Sequence, residues 1–289
     1  MNRRDFLKLA AAAAAFPSLS SCAVTPVKPD GSPEPVPVDD FLKQGPRVMW
    51  VAPHPDDECF SGSLLARSSI YYGNPLAMIV LTHGEGGECC LKTGCHPDVG
   101  TVRGQEMEKV AGMYRSLLVH EHFFNAPLPV SSFPERHEIF EIWKKYKDPV
   151  AFVADAIRRF RPDLLITFDP HNGATGHPEH QLTSRVATAA VRAAKDTHKV
   201  ERTYYMLNRH WLFKLIFSAD PGPVTETFDA GLPCKYKMSC LDFMCKATLF
   251  HRTQYNDMHT VRSNRGLFSE LCLKQVDPFT QIEDPAEKE

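Results

Sequence analysis

The chain has 289 residues, 43% of them apolar, with 33 Lys plus Arg against 35 Asp plus Glu and a formal net charge of −2. That length supplies a core for one large α/β domain or two small ones without disulfide or metal support, and the composition excludes collagen, coiled coil and wholesale disorder. Near-neutral charge leaves no electrostatic footprint for a phosphate backbone, so no nucleic-acid partner is expected and a small molecule or glycan fits better.

Residues 1–21 read as an address. Asn2-Arg3-Arg4-Asp5-Phe6-Leu7-Lys8 is a twin-arginine pattern, and the apolar stretch Leu9 to Phe16 is too short to span a bilayer before Pro17 interrupts it. Leu19-Ser20-Ser21-Cys22 resembles a lipobox, in which cleavage before the cysteine is followed by acylation, so Cys22 is expected to carry a lipid anchor, and Ala23 after it favours the outer membrane. Residues 22–44 then form a linker, in which Pro26, Pro29, Pro33, Pro35 and Pro37 favour extended polyproline geometry. The expectation is an exported bacterial lipoprotein, periplasmic or anchored at the outer membrane, whose domain is held at the surface by lipid.

Residues 45–277 carry the pattern of a folded domain. Arg47 to Ala52 and Ala77 to Leu81 are continuous apolar runs that suit buried parallel strands. Thr101 to Leu118 has apolar residues at helical spacing, Phe123-Phe124 marks a short third strand, and Pro149 to Phe160 is a second helix. Asp163 to Phe168 is a fourth strand and Glu179 to Ala194 a third helix. Such alternation implies an α/β, Rossmann-like three-layer fold with a mostly parallel sheet. No GxGxxG follows the first strand, so dinucleotide binding lacks its fingerprint. Further on, Arg202 to Leu207 is read as a strand, Phe217 to Lys237 as a surface excursion, Met244 to Tyr255 as a helix, and residues 278–289 as a frayed acidic tail.

Besides Cys22 there are Cys59, Cys89, Cys90, Cys95, Cys234, Cys240, Cys245 and Cys272. An exported protein favours disulfides, but their connectivity cannot be read from spacing. Adjacent cysteines are awkward joint ligands, so the Cys89–His96 cluster is read as a disulfide-pinned loop in preference to a small zinc site. Cys59 is read as a small buried apolar residue.

In parallel sheets, ligands sit beyond the carboxyl ends of the strands, and there the chemistry-bearing residues cluster. After the first strand comes Pro53-His54-Pro55-Asp56-Asp57-Glu58, after the second Thr82-His83-Gly84-Glu85-Gly86-Gly87-Glu88, and after the fourth Asp169-Pro170-His171-Asn172. Farther on, Gly176-His177-Pro178-Glu179-His180 places two histidines on one turn at a helix start. Imidazole and carboxylate are ordinary ligands for a catalytic Zn²⁺, which takes three from the protein and leaves a position open.

His54-Pro55-Asp56-Asp57-Glu58 together with His177-Pro178-Glu179-His180 closely resembles the PIG-L/LmbE-like family of zinc-dependent de-N-acetylases. The resemblance covers roughly residues 46–200 and implies the LmbE-like fold, with the metal on His54, Asp57 and His180, Asp56 as general base, and His177 as the histidine that stabilises the oxyanion or protonates the leaving amine. It further implies that Glu85, in the Thr82–Gly87 loop, Arg103, paired with Glu106 in an Arg-x-x-Glu motif, and Gln254, ending His251-Arg252-Thr253-Gln254, face substrate. Glu179 departs from the family's Asp, and the Cys89–His96 insertion sits at the lip of the expected crevice. Glu58 is expected to support the first helical turn, Asp169 either to cap the strand end or to orient a histidine, and His83, His96 and His171 carry no assigned role. The function implied is removal of acetyl from an N-acetylated amino sugar, an N-acetylglucosamine-type glycan or glycoconjugate, with Zn²⁺ as cofactor, although Fe²⁺ suits the same donors. The alternatives are a zinc amidase acting on a non-sugar amide and a glycan-binding lipoprotein without turnover.

Overall fold

The computed structural model describes residues 36–208 and 222–288. The twin-arginine segment and the Cys22 anchor expected from sequence lie outside the described residues. Seven strands form one sheet in the order β3-β2-β1-β4-β5-β9-β6: β1 (Val48–Ala52), β2 (Leu76–Val80), β3 (Leu117–His120), β4 (Leu164–Phe168), β5 (Arg202–Leu207), β6 (Glu226–Asp229) and β9 (Glu270–Val276). The first five run parallel, and β9 and β6 add on in antiparallel pairing. A small hairpin, β7 (Pro233–Lys235) and β8 (Met238–Ser239), stands apart.

Strand pleating sends alternate residues to opposite faces, and β1 shows how the layers follow. Val48, Trp50 and Ala52 enter the core beneath α1 (Val38–Leu42), α2 (Gly62–Ala66), α3 (Val99–Met113) and α7 (Cys240–Ala247). Met49 and Val51 face the other core, covered by α4 (Arg136–Tyr146), α5 (Pro149–Phe160) and α6 (Pro178–Ala194). Both cores are closed, so the central strands are buried along their whole length and read as continuous apolar runs.

Five features differ from the sequence reading. Helix α3 stops at Met113 and the third strand is Leu117–His120, not Phe123-Phe124. Phe123 nonetheless continues the ladder, its N–H donating to Leu81 O at 2.9 Å, and its ring is fully buried, which is what made the pair look like a strand. Residues 38–42, expected in the linker, form α1, with Val38, Phe41 and Leu42 in the core and Arg67 clasping Asp39. The excursion expected from 217 to 237 contains β6, paired with β9, and the helix expected over 244–255 is broken: α7 ends at Ala247, and α8 (Tyr255–Ser263) starts after the His251–Gln254 bend. The carboxy-terminal stretch expected to fray is strapped across α6. There Arg192 donates to Pro278 O and Arg185 donates to Asp284 O and pairs with Glu283 and Glu287.

Candidate active site

The exits of β1 to β4 meet at one end of the sheet. Beyond Ala52 the chain turns sharply at Asp56, whose φ of 94° and ψ of −20° lie in the left-handed region that non-glycine residues enter at a cost. The turn splits two neighbouring carboxylates. Asp57 points inward, 5% exposed at the side chain, and Asp56 points toward Arg103, 15% exposed. Beyond Phe168, Asp169 caps the next turn by accepting from His171 N and Asn172 N, and that turn leads through Gly173 to α6. Asp169 therefore acts as the cap, and through Gly173 it reaches a histidine as well.

His54, Asp57 and His180 present ligand atoms within 4.8 Å of one another, all three residues buried. Asp57 faces His54 Nδ1 with Oδ2 at 3.2 Å and His180 Nε2 with Oδ1 at 3.0 Å. Each imidazole is held from behind. His180 Nδ1 donates to Gly173 O at 2.7 Å, and His54 Nε2 donates to Glu179 Oε2. Anchoring the outer N–H of a histidine to an acceptor fixes its tautomer and leaves the inner lone pair for an ion, so this donor set fits a divalent metal. Without one, burial pushes the His54 pKa down, but Asp57 and Glu179 outweigh it and bring it up to about 10. Burial likewise opposes ionisation of Asp57, yet His180 and His54 hold its carboxyl far below the usual range.

Glu179 is fully buried, and besides His54 it accepts from Asn125 Nδ2 at 2.8 Å and Ala126 N at 2.6 Å. The longer carboxylate thus reaches the loop after β3 and joins it to the cluster. His177 caps α6, its Nδ1 accepting from Glu179 N at 3.2 Å, so the neutral ring carries its proton on Nε2. Its ring lies 4.8 Å from that of His54 and 4.8 Å from Phe133. Burial, and then the neighbouring His54 and His180, keep its pKa well below the ordinary value.

Asp56 is gripped by Arg103, with Nη2 3.1 Å from its Oδ2. Burial pushes its pKa up to about 6 against the pull of that guanidinium. The same Arg103 donates to Pro55 O and, at 2.9 Å, to Gly84 O, and it is 4% exposed. Arg103, expected from sequence to face substrate, here uses its two Nη groups to hold two loops and the carboxylate between them. Gly84 (φ 65°) allows the approach, since a Cβ there would stand 2.3 Å from Arg103 Nη1. Gln254 is also turned inward, donating from Nε2 to Glu88 O at 2.7 Å. Glu85 remains exposed at the lip, its Oε1 accepting from Asn125 N at 3.3 Å.

Sequence reasoning gave no role to Asn125, Ala126 and His251. His251 donates from Nε2 to Glu58 Oε1 at 2.8 Å, both residues buried, while Glu106 accepts from Thr253 N and Oγ1. The 251–254 bend is thereby fastened behind the Asp56 turn. At the lip, Cys89 and Cys95 form a disulfide, as the loop reading expected, and Cys90, Cys59, Cys234, Cys240 and Cys245 are free thiols.

Comparison with known proteins follows the same lines. The family model described as GlcNAc-PI de-N-acetylase, PIG-L, matches residues 49–191, and a model of the twin-arginine translocation signal matches residues 1–20. A 1D-myo-inositol 2-acetamido-2-deoxy-alpha-D-glucopyranoside deacetylase from Mycobacterium sp. (strain KMS) is 28% identical over 161 residues, 52% of this chain and 51% of that protein. The chain thus spans about half the length of the curated relatives it matches. Among solved structures, N,N'-diacetylchitobiose deacetylase from Pyrococcus horikoshii is similar over 84% of this chain and 90% of that one, with 15% identity and a TM-score of 0.53. The 4-carboxy-2-hydroxymuconate hydratase from Pseudomonas putida KT2440 is similar over 80% and 97%, with 15% identity and a TM-score of 0.56. At these identities the structures establish the fold alone, and a hydratase among them shows that the fold does not choose the reaction.

Proposed function

Because residues 49–191 form a domain of the PIG-L (LmbE-like) de-N-acetylase family, we propose that this chain is a metal-dependent hydrolase that removes acetyl from an N-acetylated amino sugar, of the N-acetylglucosamine type. The observation that carries the reading is a buried His54–Asp57–His180 donor set with a second carboxylate, Asp56, held beside it by Arg103 and outside the donor set. Zn²⁺ is the proposed ion, and Fe²⁺ suits the same donors. Bound there, such an ion supplies Lewis acidity, polarising the acetyl carbonyl and acidifying water.

The residues of the chain do the rest. Asp56 takes the proton from the attacking water; a carboxylate with its pKa near 6 is ionised at neutral pH yet more basic than an ordinary aspartate. Arg103 fixes the direction of that carboxylate. His177 donates from Nε2 to the carbonyl oxygen as negative charge gathers on it. The proton held on Asp56 then passes to the departing nitrogen, so the amine leaves neutral. Glu85, exposed at the lip, is positioned to meet the sugar hydroxyls.

The substrate is proposed to be an envelope or extracellular glycan, because the twin-arginine signal directs the chain across the cytoplasmic membrane. Acylation at Cys22, with anchoring to a membrane facing the periplasm, completes the proposed location. Acetate release from a panel of N-acetylglucosamine derivatives and simple acetamides, with and without chelator, tests the reading. Chelator-sensitive release from the sugars supports it. Release from the acetamides alone makes the chain a non-sugar amidase, and no release from any compound leaves a binding protein.

A further inference from the structure

We propose that the face built by the β7–β8 hairpin, the end of α7 and α8 docks on a bilayer surface rich in anionic phospholipid headgroups. The hairpin turn is Tyr236-Lys237, and both residues have positive φ, 50° and 62°. A two-residue turn of this hand is made most readily by glycine or asparagine, so two larger side chains are held there at a cost in backbone energy. The core gains nothing from them, since Tyr236 is 86% exposed and Lys237 is exposed as well. Both instead line an open groove of about 470 Å³ between the hairpin, α7 and α8.

Positive charge and exposed apolar surface coincide in that groove. Among the described residues lining it, Lys237, Lys246, Arg262 and Arg265 face one carboxylate, Asp242, which pairs with Arg265. Four cations against one carboxylate leave a local excess of three positive charges, on a chain whose formal net charge is −2. Leu249, also in the lining, and Tyr255, whose ring centre lies 5.9 Å from the Arg262 guanidinium, are both more than half exposed. Cations alone would suit any polyanion. Tyrosine and leucine exposed among them suit a lipid interface, where the rings sit at headgroup level, the leucine reaches the acyl boundary, and Lys and Arg lie among the phosphates. The twin-arginine signal matched at residues 1–20 directs the chain across a membrane, so such a surface is what the exported chain meets first. The patch also adjoins the crevice: Asn256, next to Tyr255, donates from Nδ2 to Cys90 Sγ at 3.4 Å in the lip loop. Docking by this face therefore sets the mouth of the crevice near the headgroups.

The test is vesicle sedimentation. Full-length chain carrying Cys22→Ser, which removes any acyl group from the measurement, is spun with vesicles of phosphatidylcholine alone or with one-third phosphatidylglycerol, at low salt and at 1 M salt. Binding is expected to the anionic vesicles, and it should vanish at 1 M, where charges are screened beyond about 3 Å. Lys237→Glu with Lys246→Glu is expected to weaken it at least about tenfold, and Tyr236→Ala with Leu249→Ala several-fold. Lys145→Glu with Lys195→Glu makes the same change of charge on exposed positions of α4 and the end of α6, in the opposite layer, and should leave binding unchanged. All six side chains are exposed, so Tm should hold in every variant. Equal binding to neutral vesicles overturns the proposal, as does binding that survives the Lys237 and Lys246 reversals or falls equally with the control pair. Dextran sulfate bound as tightly as the anionic vesicles, with no loss in the Tyr236 and Leu249 variant, makes the groove a site for a soluble polyanion and overturns the lipid assignment. Sedimentation is read without turnover, so protein that binds vesicles but releases no acetate fails the hydrolase reading while the docking surface stands.

Discussion

The left-handed backbone at Asp56 sends adjacent carboxylates in different directions, Asp57 between two imidazoles and Asp56 toward Arg103. Asp56→Asn keeps that geometry but cannot accept a proton, so the variant is predicted to retain metal and lose roughly 10²- to 10⁴-fold in kcat. Burial raises Asp56 to about 6, and only the ionised form is a base. Turnover is therefore expected to fall as pH drops through about 6 or lower, a bound cation pulling the limb further down, and the limb should be absent from what activity Asp56→Asn retains. Arg103→Gln, which releases Pro55 O, Gly84 O and Asp56 together, is predicted to lower kcat more than it raises KM. A larger effect on KM would return Arg103 to substrate binding. His54 gives a prediction of opposite pH sense. In metal-free protein its folded pKa, about 10, lies above the unfolded value near 6.5, so its contribution is fully present below pH 6.5 and lost as pH rises through 10. Thermal unfolding of chelated protein should show Tm declining over that interval.

His54, Asp56, Asp57, His177 and His180 were legible because their types and spacings fall within two short motifs. Asn125, Ala126 and His251 were not. All three act through contacts made only by folding, Asn125 and Ala126 with Glu179 and His251 across 193 residues of sequence. Arg103 was visible, but its direction was not: a cation on a helix facing a crevice is equally suited to substrate or to neighbouring carbonyls, and only the Gly84 contact decides.

Among the elements, the central strands were read to within a residue or so, because burial on both faces makes β1, β2 and β4 unbroken apolar runs. The short edge strand β3 is largely half-buried to exposed, gives no such run, and lost its place to Phe123. Helix α1 was hidden by the prolines before it; Phe41 belongs to the main core at 3% exposure. Phe41→Ala is accordingly predicted to cost about 3–5 kcal/mol, read as a lowered denaturation midpoint, whereas a residue in a true linker would cost nothing measurable. The strap over α6 fastens to Arg185 and Arg192 and places Glu283 3.2 Å from His171, in the turn that leads to His180. Removing residues 278–289 should lower Tm and loosen metal retention together; unchanged values would show that the strap is passive.

For the molecule as a whole, the described chain enters beside the first residue of β5, where Arg202 donates to Val36 O, while the crevice lies at the carboxyl ends of the parallel strands. Among the described residues no helix is long and apolar enough to cross a membrane. Cys22→Ser should abolish labelling by a fatty-acid probe while leaving acetate release by the purified protein unchanged. Hydratase and deacetylase share this architecture, which puts the burden of function on the crevice residues. The direct measurement is metal content and acetate release on the same samples of wild type, Asp56→Asn and His180→Ala, assayed with an N-acetylglucosamine derivative. Wild type should hold metal and release acetate, Asp56→Asn should hold metal without turnover, and His180→Ala should hold neither; an Asp56→Asn protein as fast as wild type, or a His180→Ala protein with full metal, would contradict the account.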